Sequence, residues 1–383
     1  MQDARILYLA NLDWFGLNNR TQHLARHLAR RNHVLWAYCR YVRDWQHLPP
    51  SERWRALWSA SAQRDGVRFY ELIFWRPRRL PMFEAQQGPW FARRLAAHTQ
   101  RAGFAPDVLW VTQPAHAALA DLFPDALLCY DWMDAYADFF TGARREAIAW
   151  AEEALLRRAD LVLATSQGLL ERTQAVARRA VLVPNGVQAD HFFQAMDHAL
   201  PRPADLAGLP EPLIGYYGTI SWWMDWELLS RLGEMRPRWS FVLIGTIRAR
   251  PPALPANIHL LGRRPYAALP AYLRHIPVWL YPFAPNDLVQ QVDPLKLYEY
   301  IAAGRRIVAT RTRETGKFGD LIAPAEGAEA FAAAIEAGLA APLSAEEYAR
   351  ARAFAEQHTW ERRGQQIEAL LDEALAARRG HGR

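Results

Sequence analysis

The chain has 383 residues, half of them apolar and 22% charged, which excludes a disordered or collagen-like protein and favours two domains over one. No apolar run approaches the about 20 residues of a membrane-spanning helix. The first apolar stretch, Ile6 to Ala10, is too short for a signal-peptide core, so we predict a cytoplasmic protein. The net charge is +6, yet residues 40–101 alone carry twelve arginines against five acidic residues, with five tryptophans among them.

Apolar, β-rich runs alternate with helical patterns along most of the chain, which predicts parallel sheets covered by helices. Helices are predicted over 20–31 and 144–158, where apolar residues recur at helical spacing. Cys39 and Cys129 lie in strand-like runs, so reduced core thiols are favoured over a disulfide or a metal pair. The strands predicted in the first half are 5–10, 34–39, 67–74, 107–112, 126–130, 161–165 and 180–183.

Residues 198–212 are rich in proline and lose all periodicity, which favours a linker. A second series of alternating elements follows, with strands at 213–217, 240–245, 258–261, 278–282 and 306–310. The pattern predicts an α/β protein with two Rossmann-like, doubly wound parallel-sheet domains, 1–197 and 213–358. A long amphipathic helix, 360–378, lies in a C-terminal segment 359–383 that could pack back on the first domain. Such folds bind ligands beyond the carboxyl ends of their strands, so function is expected in a cleft between the domains.

The stretch from Gln290 to Thr310 reads QQVDPLKLYEYIAAGRRIVAT and predicts a short helix before a strand. Asp293 suits the N-cap, Pro294 the first helical position and Gly304 the position after the last turn. Lys296 lies in the first turn, where it opposes the helix dipole. A phosphate docked at the helix amides would explain this cation, and Glu299, one turn later, could accept hydrogen bonds from a ribose diol. The spacing fits an exposed i,i+3 ion pair equally well.

The same stretch resembles the signature of bacterial glycosyltransferases with the two-Rossmann-domain GT-B architecture, in the large group similar to glycosyltransferase family 4. Four further strings occur in family order, namely RADLVLATSQGL (158–169), VLVPNGV (181–187), LIGYYGTIS (213–221) and NIHLLGRRPYAALPAYL (257–273). The resemblance implies transfer of a sugar from a nucleotide donor, UDP- or GDP-linked, without a cofactor or metal and with retention of anomeric configuration. It also implies that Glu299 binds the donor ribose and that the C-terminal domain holds the diphosphate.

Several positions depart from the family pattern. Gln291 stands where many relatives carry a second Glu, and the segment GTISWWMDW (218–226) has neither the Arg nor the Lys found there in many relatives. Lys296, helped by Arg20 or Arg248, would then carry more of the diphosphate charge. The predicted donor-binding residues are Gly16, Arg20, Gly218, Thr219, Arg248, Arg263, Gln291, Val292, Asp293, Pro294, Leu295, Lys296 and Glu299.

The segment YDWMDAYADF (130–139) follows a predicted strand and places Asp131 and Asp134 at its end. Either carboxylate could bind sugar hydroxyls or take a proton from the acceptor, which would equally serve an inverting reaction. We predict Asp134, Asp131 and Lys296 as catalytic residues. The alternative for the two aspartates is a helix cap and one solvated carboxylate.

The predicted partners are a nucleotide sugar and a polysaccharide or lipid-linked acceptor, with no nucleic acid. The arginines and tryptophans of 40–101 suit an anionic membrane surface, with Trp75, Phe83, Trp90 and Phe91 in the headgroup layer, although packing of these aromatics in the core is the commoner outcome. Two other functions stay open. A nucleotide-sugar epimerase would share the fold and need no acceptor, and a regulator would bind donor without turnover.

Overall fold

The computed structural model of the protein describes residues 1–10, 14, 18–41, 63–74, 89–197 and 199–381. The chain divides into two compact units, the first formed by Met1–Pro184 with Arg363–Arg383 and the second by Asn185–Arg362. Each unit has its own sheet. Within the described ranges, no helix combines the length and the apolar character that crossing a membrane requires.

The sheet of the first unit has eight strands in the order β3-β4-β2-β1-β5-β6-β7-β8. All neighbours are parallel except β3, which pairs antiparallel with β4. The chain begins in the middle of the sheet and winds outward in both directions, which makes the unit doubly wound. The strands are β1 (Arg5–Leu9), β2 (His33–Tyr41), β3 (Gln63–Arg64), β4 (Val67–Phe74), β5 (Val108–Val111), β6 (Leu127–Trp132), β7 (Leu161–Ala164) and β8 (Ala180–Leu182).

Both faces of this sheet are buried. One face packs Leu9, Val111 and Trp132 into an apolar core. The other carries a stack of three fully buried rings, in which Tyr8 lies between Trp36 and Trp110 with centroids 4.9 and 5.2 Å away. The helices of the unit are α1 (Arg20–Leu28), α2 (Pro89–Arg101), α3 (Gly142–Arg158) and α4 (Gln167–Thr173), with 3-10 segments at Pro114–Leu122 and Tyr136–Phe139.

The sheet of the second unit has six parallel strands in the order β11-β10-β9-β12-β13-β14. Apolar clusters lie on both of its faces, around Trp279 on one and Phe241 on the other. The strands are β9 (Leu213–Tyr217), β10 (Ser240–Ile244), β11 (Ile258–Gly262), β12 (Val278–Tyr281), β13 (Arg306–Thr310) and β14 (Ala323–Ala325).

Short helices cover this second sheet. They are α5 (Ala189–Asp197), α6 (Trp226–Met235), α7 (Leu269–His275), α8 (Asp287–Gln291), α9 (Leu295–Ala302), α10 (Arg313–Gly316), α11 (Gly327–Ala340) and α12 (Ala345–Gln357). Three 3-10 segments, Ala204–Leu206, Tyr266–Ala268 and Gly319–Leu321, complete the unit. The last helix of the chain, α13 (Trp360–His381), belongs to the first unit from Arg363 onward.

Helix α13 is tied to the first unit by apolar and polar contacts. Ile367 and Leu371 are fully buried. Gln366 Nε2 donates to the Leu182 carbonyl at 3.2 Å, and Arg378 pairs with Asp160 at 2.8 Å. A Cβ at Gly364 would lie 2.2 Å from the His27 ring, so the helix approaches α1 at a glycine.

The predicted α/β class with two doubly wound sheets is confirmed, and every predicted strand is present with ends that differ by a few residues. Strands β3 and β14 are not predicted, because one has two residues and the other contains Pro324 at a sheet edge, where a missing donor is tolerated. The predicted linker, 198–212, lies inside the second unit, since α5 precedes it and packs its Phe192 in that unit's core.

The described part of the segment 40–101 corrects one element of the membrane hypothesis. Phe91 is 1% exposed and packs in the core of the first unit, so it does not face a headgroup layer. Arg93 and Arg94 on the same helix are exposed. The predictions for Trp75 and Phe83 and for the side chain of Trp90 lie outside the described residues. Cys129 is a free, buried cysteine, as predicted, whereas the side chain of Cys39 is outside the described part.

We expect Gly364→Ala to destabilise the protein by about 1 to 3 kcal/mol, because the new methyl group must displace the His27 ring. Gly380→Ala in the same helix is the matched control. A Cβ at Gly380 meets nothing within 4 Å, so this change should be neutral or stabilising by up to about 1 kcal/mol. Urea unfolding of both variants measures the difference, and equal midpoints would contradict the close approach of α13 to α1.

Candidate functional site

The carboxyl edge of the second sheet is shaped by two glycines that follow adjacent strands. A Cβ on Gly245, after β10, would lie 1.6 Å from the Gly218 carbonyl oxygen. A Cβ on Gly218, after β9, would lie 2.7 Å from the Tyr216 hydroxyl and 3.1 Å from Lys296 Cε. Only glycine fits both positions, because any side chain would separate the two backbones. The two chain segments therefore touch at this edge, with the stem of Lys296 against them.

Helix α9 begins beside this edge, and its ends differ in part from the prediction. Gly304 follows the C-cap with φ 61°, and a Cβ there would lie 2.5 Å from Met196 Sδ, so glycine is required as predicted. Asp293 is not the N-cap, because Pro294 takes that position without any side-chain cap. The carboxylate of Asp293 is instead fully buried and occupied by other groups.

Asp293 connects three separate segments of the second unit. Its carboxylate accepts from the Asn185 N–H at 2.5 Å and from the Tyr298 hydroxyl at 3.1 Å, and it pairs with Lys317. Lys317 also pairs with the buried Glu314 at 3.0 Å. These bonds hold the start of α9 in place, so Asp293 is a structural hub rather than an open ligand group. Lys317 was not predicted, because only the tertiary structure brings it to the helix.

Lys296 and Glu299 lie on the same face of α9, as their spacing indicates. Their charged atoms, Nζ and Oε2, are 3.6 Å apart, and the side chains are 25% and 6% exposed. The Tyr217 hydroxyl donates to the same Oε2 at 2.6 Å, and Lys296 Nζ lies 5.5 Å from the Tyr217 ring centre. Both contacts use Oε2, which leaves Oε1 as the acceptor for a further donor. The Lys296–Glu299 pair is therefore partly buried but still accessible to a ligand through Lys296.

Burial and the neighbouring Glu299 carboxylate raise the pKa of Tyr217 well above its ordinary value. The phenol stays protonated at neutral pH and donates to Glu299, which keeps that carboxylate in one orientation. Tyr217 is a site residue that sequence reasoning missed. It lies 82 residues from Glu299 in the chain, and only its position at the end of β9 could have drawn attention to it.

Apart from Gly16 and Arg20, the remaining predicted donor residues lie in the same unit. Arg248 lies after β10 and is exposed. Its backbone N–H donates at 2.8 Å to the carbonyl of Ile220, the residue that follows Gly218 and Thr219 in the chain. Arg263 directly follows β11 and is also exposed. Gln291 Nε2 donates to the Asp287 carbonyl at 3.1 Å. Val292 follows Gln291 in the chain, and Leu295 is the first residue of α9. Arg248 and Arg263 thus lie near strand ends, and Lys296 lies in the first turn of α9.

In the first unit, the structure contradicts the expectation that Asp131 and Arg20 are open to substrate. Asp131 is fully buried and Arg20 is 2% exposed. The guanidinium Nε lies 2.9 and 3.2 Å from the two carboxylate oxygens, and Nη2 lies 2.8 Å from Oδ1. Arg20 Nη1 also donates to the Pro184 carbonyl at 3.0 Å. The two residues neutralise each other inside the unit.

Asp134 lies beyond the end of β6 and is partly exposed, in contrast to Asp131. Burial raises the pKa of Asp131, an effect that the adjacent Arg20 opposes. Of the two predicted aspartates, only Asp134 is accessible. Gly16 lies outside the described residues. No group of three or more His, Cys, Asp or Glu side chains suited to a metal occurs in the ranges that the structure describes.

Residues 15–186 match the family described as "Glycosyl transferase 4-like domain", and residues 211–341 match "Glycosyl transferases group 1". The two parallel-sheet units have the GT-B fold, and each of these two matches is to a family of glycosyltransferase domains. A Bacillus subtilis (strain 168) protein assigned by its name to teichuronic acid biosynthesis, the glycosyltransferase TuaH, is 28% identical over 227 residues, which is 55% of this chain and 56% of that relative.

Solved structures share the fold over nearly the whole chain. Sucrose-phosphate synthase from Thermosynechococcus elongatus has a TM-score of 0.72 at 18% identity and covers 98% of this chain and 100% of its own. HepE from Anabaena, in complex with UDP-glucose, has a TM-score of 0.67 at 14% identity and covers 96% of this chain and 99% of its own.

We expect Arg20→Ala to destabilise the first unit by about 3 to 5 kcal/mol, because it leaves the Asp131 carboxylate buried without its counter-ion. The paired replacement Arg20→Met with Asp131→Leu should recover most of this loss, since it removes both charges. Chemical unfolding of the single and double variants measures the effect. A single variant as stable as the parent protein would contradict the buried pair.

Proposed function

We propose that the protein transfers a glycosyl group from a nucleoside diphosphate donor to a carbohydrate acceptor. The observation that carries the proposal is the pairing of Lys296 with Glu299 at the first turn of α9, beside the glycines that close the edge of the second sheet. A cation near a helix N-terminus is unfavourable unless an anion joins it there. A diphosphate next to a ribose supplies both the anion and the hydroxyl donors.

Glu299 is assigned to the donor ribose. Its Oε2 accepts from Tyr217, and its Oε1 can accept from a ribose hydroxyl. Because Tyr217 and Tyr300 are buried around this carboxylate, it is oriented before the ligand arrives. Pre-oriented acceptors lose less entropy on binding and discriminate better.

Lys296 is assigned to the diphosphate. Breaking the bond between sugar and diphosphate places negative charge on the leaving group, and a cation already held there lowers the barrier. The Gly218 backbone allows close approach, and Arg248 and Arg263 are exposed cations that can supplement Lys296. Gly218, Thr219, Gln291, Val292 and Leu295 complete the proposed donor site. This assignment replaces the Arg20 contact, since that guanidinium is occupied by Asp131.

The donor base is proposed to be uracil before guanine. The Anabaena HepE structure, which shares the fold, is a complex with UDP-glucose. The acceptor is proposed to be a growing surface polysaccharide or a lipid-linked precursor, because the Bacillus relative carries the name of a teichuronic acid enzyme. Asp134 is the carboxylate proposed to meet the acceptor. Retention of configuration is proposed from the family resemblance. If the reaction inverts instead, Asp134 is the candidate base, because Asp131 is buried.

We expect UDP and UDP-glucose to stabilise the protein against heating, since a ligand at 100 times its dissociation constant adds about 2.7 kcal/mol. Glu299→Gln should weaken UDP binding by about 0.5 to 2 kcal/mol, because a hydrogen bond from ribose to a charged acceptor becomes a neutral one. Titration calorimetry with UDP, GDP and uridine measures the loss. Lys296→Ala in the same series should weaken UDP more than uridine.

Glu234→Gln, on the exposed surface of α6, is the control and should bind UDP as the parent does. Equal UDP affinity for Glu299→Gln and the parent would remove the ribose assignment. Turnover of nucleotide sugar without any acceptor product would favour an epimerase. Binding without turnover, for every acceptor pool offered, would favour a regulator.

We also propose that the protein works at an anionic membrane surface, supported by the excess of arginine in 40–101 and by exposed Arg93 and Arg94. Each basic residue near such a surface contributes about 1 kcal/mol. Sedimentation with phosphatidylglycerol-containing vesicles should show binding that weakens with salt and falls when Arg93 and Arg94 become Gln. If the protein binds anionic and neutral vesicles equally, the membrane proposal is wrong and the acceptor is reached in solution.

A further inference from the structure

The loop that carries Asp134 is held by a buried carboxylate on a neighbouring helix. Glu152 of α3 is 2% exposed. Its Oε1 accepts from the Trp132 indole N–H at 2.9 Å and from the Tyr136 backbone N–H at 3.1 Å. The two donors lie two residues before and two residues after Asp134. One oxygen atom thus clamps both ends of the segment 133–135.

The same segment is held from a third side. The Thr165 hydroxyl, after β7, donates to the Met133 carbonyl at 2.8 Å, and its backbone N–H donates to the Trp132 carbonyl at 3.3 Å. A loop that only connects elements does not need a buried charge to fix it, because burying a carboxylate is costly unless it is well bonded. The geometry is instead that of a loop whose side chain must be presented in one position.

The second oxygen of Glu152 faces a cation. Arg172 of α4 lies 3.7 Å from Oε2, and its guanidinium lies 5.3 Å from the Trp132 ring centre. Arg172 also lies 3.5 Å from Asp138, whose other oxygen pairs with Arg145 at 3.0 Å. The charged groups that act on Glu152 are therefore Arg172 on α4 and Asp138 after β6, and Glu152 in turn acts on the buried Tyr130 of β6.

We propose that Glu152 is a positioning residue for the acceptor reaction, because it holds Trp132 and Tyr136 on either side of Asp134 and so fixes the carboxylate that meets the acceptor. The inference rests on the proposed function for its catalytic part. The clamp itself rests only on the described contacts. Sequence alone does not reveal it, since Glu152 is one of two adjacent glutamates on an otherwise ordinary covering helix.

Ionisation of Glu152 should change the strength of the clamp. Burial raises the pKa of Glu152 to about 7, against the opposing effects of the Trp132 hydrogen bond and the Arg172 charge. The carboxyl group is thus mostly protonated in the folded protein below pH 7 and ionised above it. Opening the loop hydrates Glu152 and returns its pKa to the ordinary value, so the ionised carboxylate favours the open loop, and the loop should be held less tightly as the pH rises through 7.

Hydrogen exchange of peptides covering 133–140, expressed as protection factors between pH 6 and 8, tests the clamp without any substrate. The parent protein should show protection that falls at least threefold across this range. Glu152→Gln, which keeps an acceptor oxygen but no charge, should match the parent at pH 6 and lose the fall. Glu152→Ala should exchange at least tenfold faster at both pH values.

Glu153→Ala is the matched control, because Glu153 is the next residue, is half exposed and pairs with Arg157 on the same helix. It should leave the protection of 133–140 unchanged. A Glu152→Ala protein whose loop exchanges like that of Glu153→Ala overturns the inference. Faster exchange spread evenly over the whole first unit, or a parent pH profile retained by Glu152→Gln, also overturns it.

Release of UDP from UDP-glucose, with water as acceptor, tests the catalytic part. Glu152→Ala should lower kcat at least tenfold while the KM for UDP-glucose stays within twofold, and Asp134→Asn should lower kcat by at least as much. If Asp134→Asn lowers kcat and Glu152→Ala does not, this inference fails and the proposed function stands. If Asp134→Asn keeps full kcat, the proposed role of Asp134 fails. The exchange experiment decides the clamp whether or not UDP-glucose is turned over.

Discussion

The requirement that a buried carboxylate be neutralised or fully hydrogen-bonded organises the chemistry of both units. Four of the buried carboxylates in the described ranges have partner sets that differ from one another. Asp131 has an arginine, Asp293 a lysine with two hydrogen-bond donors, Glu299 a tyrosine and a lysine, and Glu152 two donors with a more distant arginine. Because an unpartnered buried charge costs several kcal/mol, these partners determine where the adjoining backbone can lie.

The partner sets also separate structural carboxylates from those that can meet a ligand. Asp131 and Asp293 have their oxygens occupied by groups of the same unit, so they stabilise the fold around them. Glu299 uses one oxygen, Oε2, for both its tyrosine and its lysine contact, and its other oxygen is the one proposed to accept from a ligand. Exposure follows the same division, since Lys296 is a quarter exposed whereas Arg20 is almost fully buried. The chemistry proposed for this protein therefore rests on the incompletely satisfied groups.

The second sheet shows how backbone geometry and charge combine at one edge. The contact between Gly218 and Gly245 leaves no room for side chains at two adjacent strand ends. Lys296 lies against that surface from α9, and the start of α9 is held by Asp293 through its bonds to the loop at Asn185. A glycine-lined edge next to a cation suits a phosphate, because the backbone can approach closely and the charge is already in place.

The sequence by itself determined the alternation of strands and helices, the end of α9 at Gly304 and the shared face of Lys296 and Glu299. These features depend on local spacing, backbone propensity or contacts within one helix, which residues close in the chain specify. Only the tertiary structure decided which carboxylates are available. Arg20 and Asp131 are 111 residues apart, Tyr217 and Glu299 are 82 apart, and Lys317 is 24 residues beyond Asp293. Such pairs form where strand ends converge at one edge of a sheet, and no periodicity in the sequence records which ends will meet.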